Sequence, residues 1–152
     1  MSQSRVSVFG TGSIVFLFLS LLAVGESDIV KKEVVVRGSV ACVNASGSEI
    51  SCHGDDRLFA LRTTDGNQFF FLPEDPNSRM FEDERLHQRE LEVTGWSRGG
   101  NRLEIIKVHS VKDGQLFDIH YFCSVCNIKA FVGGLCWCCQ EEFEFREVRL
   151  DR

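Results

Sequence analysis

The stretch ELEVTGWSRGGNRLEIIKVHSV, residues 90–111, decides the fold. Apolar residues alternate with polar ones on both sides of SRGGN, a segment rich in turn-forming residues. Alternation with a period of two is typical of a strand with one buried face, and glycines between two such runs indicate a tight reversal. The stretch therefore predicts two antiparallel strands joined by a turn.

The residues before this hairpin predict three more strands and one helix. Val34–Val43 is rich in β-branched residues, and Leu58–Thr63 and Gln68–Leu72 flank an Asp65-Gly66 pair that favours a hairpin turn. The segment Asp75–Gln88 begins with a capping residue followed by proline, which is typical of a helix start. Strands therefore dominate, and the chain is predicted to be mainly β with one helix.

The order of these elements resembles the OB-fold, a small five-stranded Greek-key barrel. Residues 34–111 give three strands, a helix and two strands, with a long first strand that Gly38 would bend. The resemblance implies an OB-like barrel over residues 30–116, followed by a metal-binding hairpin over residues 117–150. Because OB-folds bind many kinds of ligand, the resemblance implies nothing about which ligand this one would take.

The stretch CSVCNIKAFVGGLCWCCQ, residues 123–140, contains five of the seven cysteines. Its spacing is CxxC, nine residues, then CxxC, and a Gly-Gly pair lies between the two units. A CxxC turn directs both sulfurs the same way, so two such turns can complete a tetrahedral metal shell. The predicted ligands are Cys123, Cys126, Cys136 and Cys139, with Cys138 as an alternative ligand.

This cluster resembles a zinc-ribbon or rubredoxin-type pair of metal knuckles. It is also similar to the short heavy-metal-binding segment of exported copper-handling proteins, with Tyr121-Phe122 before the first pair and Gly133-Gly134 at the turn. Cys126 stands where that segment has His, and Asn127 and Gln140 stand where Gly is usual. The resemblances imply zinc as the metal, with copper as the other candidate.

Two interpretations without a structural metal stay open for the cluster. The CxxC pairs could form disulfides, or one pair could be a redox dithiol, although no βαβ pattern precedes them. Cys42 and Cys52 are the separate disulfide candidate, closing a loop of nine intervening residues. The alternative for this pair is a buried Cys42 and a free thiol at Cys52.

The four histidines are expected to be secondary. His53 suits a solvated loop, and His87 and His109 are expected to be ordinary surface residues. His120 lies three residues before Cys123 and could join a metal shell, but four sulfurs already suffice.

The N-terminus has the parts of a secretory signal. Arg5 precedes the apolar run Ile14–Leu22, and Ala23-Val24-Gly25 offers a cleavage site before Glu26. Residues 1–25 are therefore predicted to be a signal peptide. The alternative is an N-terminal anchor, because residues 6–24 make 19 mostly apolar positions. Both predict a periplasmic or extracellular protein, with membrane contact only through an uncleaved N-terminal segment.

Charge and motifs restrict the function classes. The net charge of −5 opposes binding to phosphate backbones, so nucleic acid is not expected as a partner. The sequence has no phosphate-binding loop, nucleophile elbow or HExxH motif. We expect an exported, non-enzymatic module that binds an unknown ligand or protein and holds a structural zinc. The alternative is periplasmic copper or zinc trafficking or sensing, and thiol–disulfide redox chemistry is the third choice.

Overall fold

A computed structural model describes residues 31–54 and 56–151. The predicted signal peptide or anchor, residues 1–25, lies outside them. The described residues are mainly β, and their strands are β1 (Lys32–Val43), β2 (Leu58–Arg62), β3 (Gln68–Phe71), β4 (Glu90–Ser97), β5 (Arg102–Lys112), β6 (Gln115–Cys123), β7 (Ile128–Ala130) and β8 (Glu144–Arg149). The hairpin predicted over residues 90–111 is present as β4 and β5.

The pairings among β1 to β5, here called the five-strand unit, return to their starting strand. β1 pairs antiparallel with β2 and with β4, β2 pairs with β3, and β4 pairs with β5. A short parallel pairing of β3 with β5, at Phe70 opposite Arg102 and Phe71 opposite Leu103, completes the circuit. The apolar faces of all five strands can therefore turn towards one shared core.

Two glycines lie where strands of this circuit approach closely. A Cβ on Gly95 would lie 2.6 Å from the carbonyl oxygen of Glu104, beside the β-bulge between Thr94 and Gly95. A Cβ on Gly38 would overlap the carbonyl oxygen of Arg62. Both positions need glycine because a neighbouring backbone fills the space that a side chain would take.

The predicted helical segment lies between β3 and β4, but it consists of two 3-10 helices, Pro76–Glu82 and Glu84–Leu86. Asp75 caps the first helix as predicted, accepting a hydrogen bond from the N–H of Asn77 at 2.9 Å. Asp83 separates the two because its backbone is extended and its side chain caps the second helix. Among residues 31–54 and 56–151, no helix has the length and apolar character to cross a membrane.

The main core lies between the 3-10 helices and the five-strand unit. Phe81 is fully buried and stacks on Phe71 with ring centroids 4.4 Å apart. The other buried members of this core are Val36, Val40, Leu61, Met80, Leu86, Leu91, Val93, Leu103, Ile105, Val108 and Ile119. Ile119 belongs to β6, so the core extends beyond the five-strand unit.

β6 extends the sheet from the five-strand unit to the C-terminal cysteines. It pairs with β5 from His109 opposite Asp118 to Lys112 opposite Gln115, with β8 over residues 117–122 and with β7 over residues 121–123. β6 thus runs across the expected boundary between residues 116 and 117. The cysteine-bearing segment is therefore anchored through a strand that it shares with the rest of the sheet.

Candidate metal centre

The first CxxC unit is formed where β6 ends. Cys123 is the last residue of β6, and the turn that follows brings Cys126 back beside it. The backbone N–H of Cys126 donates to Cys123 Sγ at 3.4 Å. Asn127 then adopts φ +55°, the left-handed conformation that Asn tolerates better than most residues, and β7 begins at the next residue.

The second unit repeats this geometry before β8. The backbone N–H of Cys136 donates to Glu141 O at 2.7 Å, and that of Gln140 donates to Cys136 O at 2.9 Å. Gln140 has φ +63°, so both positions where glycine is usual in similar segments are left-handed here. The backbone N–H groups of Cys139 and Cys138 lower the pKa of the Cys136 thiol to about 7, although burial opposes this.

The structure brings the four predicted ligands together. The sulfurs of Cys123, Cys126, Cys136 and Cys139 all lie within 4.8 Å of one another, and those of Cys123 and Cys139 are 3.4 Å apart. Four sulfurs around a tetrahedral Zn²⁺ would lie about 3.8 Å apart, given Zn–S distances of about 2.3 Å. Cys123 and Cys136 are buried, and the other two are half-buried. The group could therefore hold a metal ion after small adjustments.

Close packing of the thiols opposes the ionisation of Cys126. The thiols of Cys138 and Cys139 raise the pKa of Cys126 well above its usual value. Several thiols in one small volume oppose the formation of more than one thiolate. A bound divalent ion reverses that balance, because it coordinates thiolates and displaces their protons. The arrangement suits metal binding better than independent ionisation of each thiol.

Residues 123–143 are here called the cysteine unit. The Gly-Gly turn within this unit packs it against the rest of the molecule. A Cβ on Gly133 would lie 2.7 Å from Cε1 of Tyr121, so the backbone packs directly on the tyrosine ring. Gly134 has φ +122°, which supports its predicted role in the reversal. Only the second glycine is thus needed for backbone conformation, and the first is needed for packing.

Tyr121 links the cysteine unit to the 3-10 helices. Its ring is 1% exposed, and its hydroxyl donates to Asp83 Oδ2 at 2.7 Å. Burial and the neighbouring Asp83 carboxylate raise the pKa of Tyr121, so it stays a neutral donor. Asp83 also accepts two hydrogen bonds from Arg85 Nε, at 2.9 and 3.0 Å. A partly buried network therefore connects the cysteine unit to the 3-10 helices that cover the main core.

Aromatic side chains complete this junction. Phe143 is buried with Tyr121, Cys123 and Cys136 in a small second core. Phe145, on β8, contacts the edge of the Tyr121 ring at a centroid distance of 5.7 Å. The sulfurs are therefore enclosed on one side by aromatic rings.

The remaining predicted residues do not join the four-cysteine group. Cys138 is exposed, and His120 is buried with Nδ1 3.0 Å from Asp118 Oδ2. Cys42 and Cys52 form a disulfide with a Cα–Cα distance of 5.2 Å, as predicted. Their cross-link connects the end of β1 to the loop that follows it.

Two histidines differ from the expectation of ordinary surface residues. His109 is 8% exposed within the sheet. His87 is half-buried, and one of its ring nitrogens lies within 4.8 Å of the sulfurs of Cys42 and Cys52. No local pattern predicts this contact, because His87 lies 35 positions after Cys52.

No protein family, curated protein sequence or solved structure matches this chain at a significant level. The geometry of the described residues is therefore the basis for the functional proposals below.

Proposed function

We propose that this chain is an exported, non-enzymatic binding module in which Cys123, Cys126, Cys136 and Cys139 hold a structural zinc. The observation that carries the proposal is the convergence of four cysteine sulfurs within 4.8 Å of one another. Four sulfurs fill a tetrahedral shell and leave no open position for a substrate, which is the pattern of a structural zinc site.

Two features support a structural role for the metal. The backbone N–H···S contact at Cys126 and the N–H groups facing Cys136 are ones that stabilise bound thiolates. The cysteine unit also lacks a large core of its own, since its second core has four buried members. A small unit of this kind gains stability from metal binding. Copper is the other candidate, because thiolates also suit Cu(I).

The strand pairings support an OB-like barrel followed by a zinc-ribbon-like unit. The closed circuit β1–β2–β3–β5–β4 and the helical segment between β3 and β4 agree with the Greek-key order expected of an OB-fold. The two CxxC turns, one after β6 and one before β8, agree with a pair of zinc-ribbon knuckles.

Export and partner binding rest on separate observations. The apolar run at residues 14–22 and the small residues that follow it support export, and the Cys42–Cys52 disulfide is typical of an oxidising compartment. Val125, Leu135 and Trp137 are each more than 60% exposed on the two turns of the cysteine unit. Three such exposed apolar side chains within one small unit support a contact role for it.

Native mass spectrometry of the exported protein, counting metals and free thiols together, tests the proposal. We expect one zinc per chain, retained by Cys138→Ser and lost by Cys136→Ser. Both variants remove one thiol from the same turn, so the comparison isolates the predicted ligand. A metal-free wild-type chain with all but one of the cluster cysteines oxidised would overturn the metal site.

Metal trafficking is the second candidate, because an exposed thiol lies beside the cluster. Cys138 is close enough to exchange a hydrogen bond with Cys126, so it could act as an entering ligand during transfer. Trafficking predicts that a chelator removes the metal readily and leaves a folded chain. A structural zinc predicts that removal disorders the cysteine unit.

A further inference from the structure

A second group of metal-ligating side chains lies on the five-strand unit, away from the four-cysteine cluster. Cys42 at the end of β1, Cys52 in the following loop and His87 after the second 3-10 helix meet there. One imidazole nitrogen and both sulfurs lie within 4.8 Å of one another. Three separate segments therefore place one nitrogen and two sulfur atoms in one small volume.

The hydrogen bonding of His87 is compatible with metal binding through its other ring nitrogen. Its Nε2 lies 2.7 Å from the carbonyl oxygen of Phe81, so Nε2 carries the proton and donates it to that carbonyl. Nδ1 is then the ring nitrogen with a free lone pair. Metal-binding histidines are commonly held in this way, with one nitrogen bonded to a backbone carbonyl and the other on the metal. The Phe59 ring, 6.0 Å from the imidazole, packs on the same side chain.

We propose that reduction of the Cys42–Cys52 disulfide opens a second metal site, in which Cys42, Cys52 and His87 bind a divalent ion such as Zn²⁺. A dithiol reductant supplies two electrons and two protons, becomes a disulfide itself and leaves two protein thiols. Metal binding then displaces both thiol protons into solvent. A small-molecule disulfide reverses the sequence: it accepts two electrons from the two thiolates and two protons from solvent, becomes a dithiol, and the re-formed Cys42–Cys52 bond removes both sulfurs as ligands. This inference is independent of the four-cysteine centre.

The required movement is small and falls on a surface loop. Bonded sulfurs are about 2.05 Å apart, whereas two sulfurs on one Zn²⁺ are about 3.8 Å apart, so they must separate by about 1.7 Å. Cys42 is 1% exposed and fixed in β1, but Cys52 is half-buried in the loop before β2. The loop can therefore supply the displacement while β1 stays in place.

A neighbouring pocket offers a route for the fourth ligand. His87 lines an open surface pocket of about 550 Å³, together with Arg62, Thr63, Thr64 and Gln88. A water molecule from this pocket would complete the shell of two sulfurs and one nitrogen. Sites with three protein ligands and a water are the kind that exchange or activate the fourth ligand.

The experiment compares the metal content of wild type and His87→Gln after reduction. Gln can still donate to the Phe81 carbonyl but offers no imidazole nitrogen. The chain is reduced under argon with a water-soluble phosphine, which becomes a phosphine oxide with oxygen from water, and is then titrated with Co²⁺. We expect wild type to bind one more ion per chain than His87→Gln, with added thiolate-to-cobalt absorption. His53→Gln, next to Cys52, should bind as wild type does.

The result does not depend on the four-cysteine centre, because that centre contributes equally to every variant. Equal metal content in reduced wild type and His87→Gln would overturn the proposal. A wild type that loses its circular dichroism on reduction and does not recover it with Co²⁺ would overturn it as well. Reoxidation should release the additional ion. Retention of that ion would contradict the proposal that the disulfide and the bound metal exclude each other. The metal count before reduction reports separately on the proposed zinc.

Discussion

Glu147→Gln should destabilise the protein in a way that depends strongly on pH. Glu147 lies on β8 with its side chain 11% exposed. Its carboxylate accepts hydrogen bonds from Arg89 Nε at 2.9 Å, Ser110 Oγ at 2.6 Å and Lys112 Nζ at 2.7 Å. Burial alone would raise the pKa of Glu147, but these three donors outweigh burial and lower the pKa to about 2.

The size and sign of the effect follow from this pKa. A change from 4.5 to about 2 is worth about 3 kcal/mol, at 1.36 kcal/mol for each pKa unit. Because the pKa is lower in the folded state, the stabilisation is complete above the unfolded-state pKa and is lost as pH falls towards about 2. Gln resembles the protonated acid. Glu147→Gln should therefore lower the free energy of unfolding by about 3 kcal/mol at neutral pH. The loss should be close to zero below a pH of about 2, where the wild-type carboxyl is protonated as well.

Urea unfolding at several pH values, followed by tryptophan fluorescence, measures this difference. Wild type and variant are compared at the same pH, so the titration of other carboxyls and of the thiols contributes equally to both. Glu144→Gln is the matched control, since Glu144 lies on the same strand with an exposed carboxylate beside Arg146. That control should change stability little at any pH. A cost for Glu147→Gln that is independent of pH, or no larger than that of the control, would refute the reasoning.

Three further substitutions test other contacts by urea unfolding. Gly133→Ala should cost about 1–3 kcal/mol, because its Cβ would lie 2.7 Å from the buried Tyr121 ring. Asp75→Ala should cost about 2–4 kcal/mol, since Asp75 caps a 3-10 helix and accepts a hydrogen bond from a buried amide of β5 at 2.6 Å. Replacing Cys42 and Cys52 together by serine should cost about 2–3 kcal/mol through lost loop constraint.

Each of these substitutions has its own control. Gly114→Asn should be nearly neutral, because its Cβ meets nothing within 4 Å and Asn tolerates its φ of +74°. A similarly small effect of Gly133→Ala would contradict the packing on the ring. Asp75→Asn keeps one acceptor oxygen and should lose less stability than the alanine variant. Reductant should lower wild-type stability without affecting the double serine variant, and equal sensitivity of the two would contradict a role for the disulfide.

The strands were predictable because their signals are local. Alternation in residues 90–111 and the Asp65-Gly66 pair determine hairpins between neighbouring segments. The pairing of β3 with β5 joins residues more than thirty positions apart, so no short window contains it. The helical segment was placed correctly, but its division into two 3-10 helices was not predicted, because Asp83 caps a second short helix and interrupts the first.

The candidate metal centre was predictable for a similar reason. Both CxxC turns are local, and the Gly-Gly pair between them lets the two turns meet. The contact of Gly133 with Tyr121 is different, since it depends on how the turn packs on β6. The same applies to His87, which follows the second 3-10 helix and lies beside Cys42 and Cys52 through long-range packing. Spacing identifies ligands within a segment, whereas packing decides which distant side chains join them.

The junction at Tyr121 leads to a final prediction about metal removal. Cys123 and Tyr121 are alternate residues of β6 and belong to the same buried cluster, so movement of the sulfurs reaches the tyrosine ring directly. We expect a chelator to remove hydrogen-exchange protection first from Cys136 and Gln140, whose amides bond within the second turn. Amides of β1 and β4 should stay protected, because their pairing is remote from the sulfurs.

The order of these losses separates a structural metal from a transported one. If Cys136 and Gln140 stay protected after the metal is removed, the second turn holds its shape without the ion, and the proposed structural role is wrong. If protection is lost there and Tyr121 also becomes exposed, the ion stabilises the junction as well as its own turns. Tyr121→Phe separates the contribution of the ion from that of the tyrosine hydroxyl. It removes the hydrogen bond to Asp83 and leaves the ring packed on Gly133. We expect chelation to disorder that variant over a wider region than in wild type.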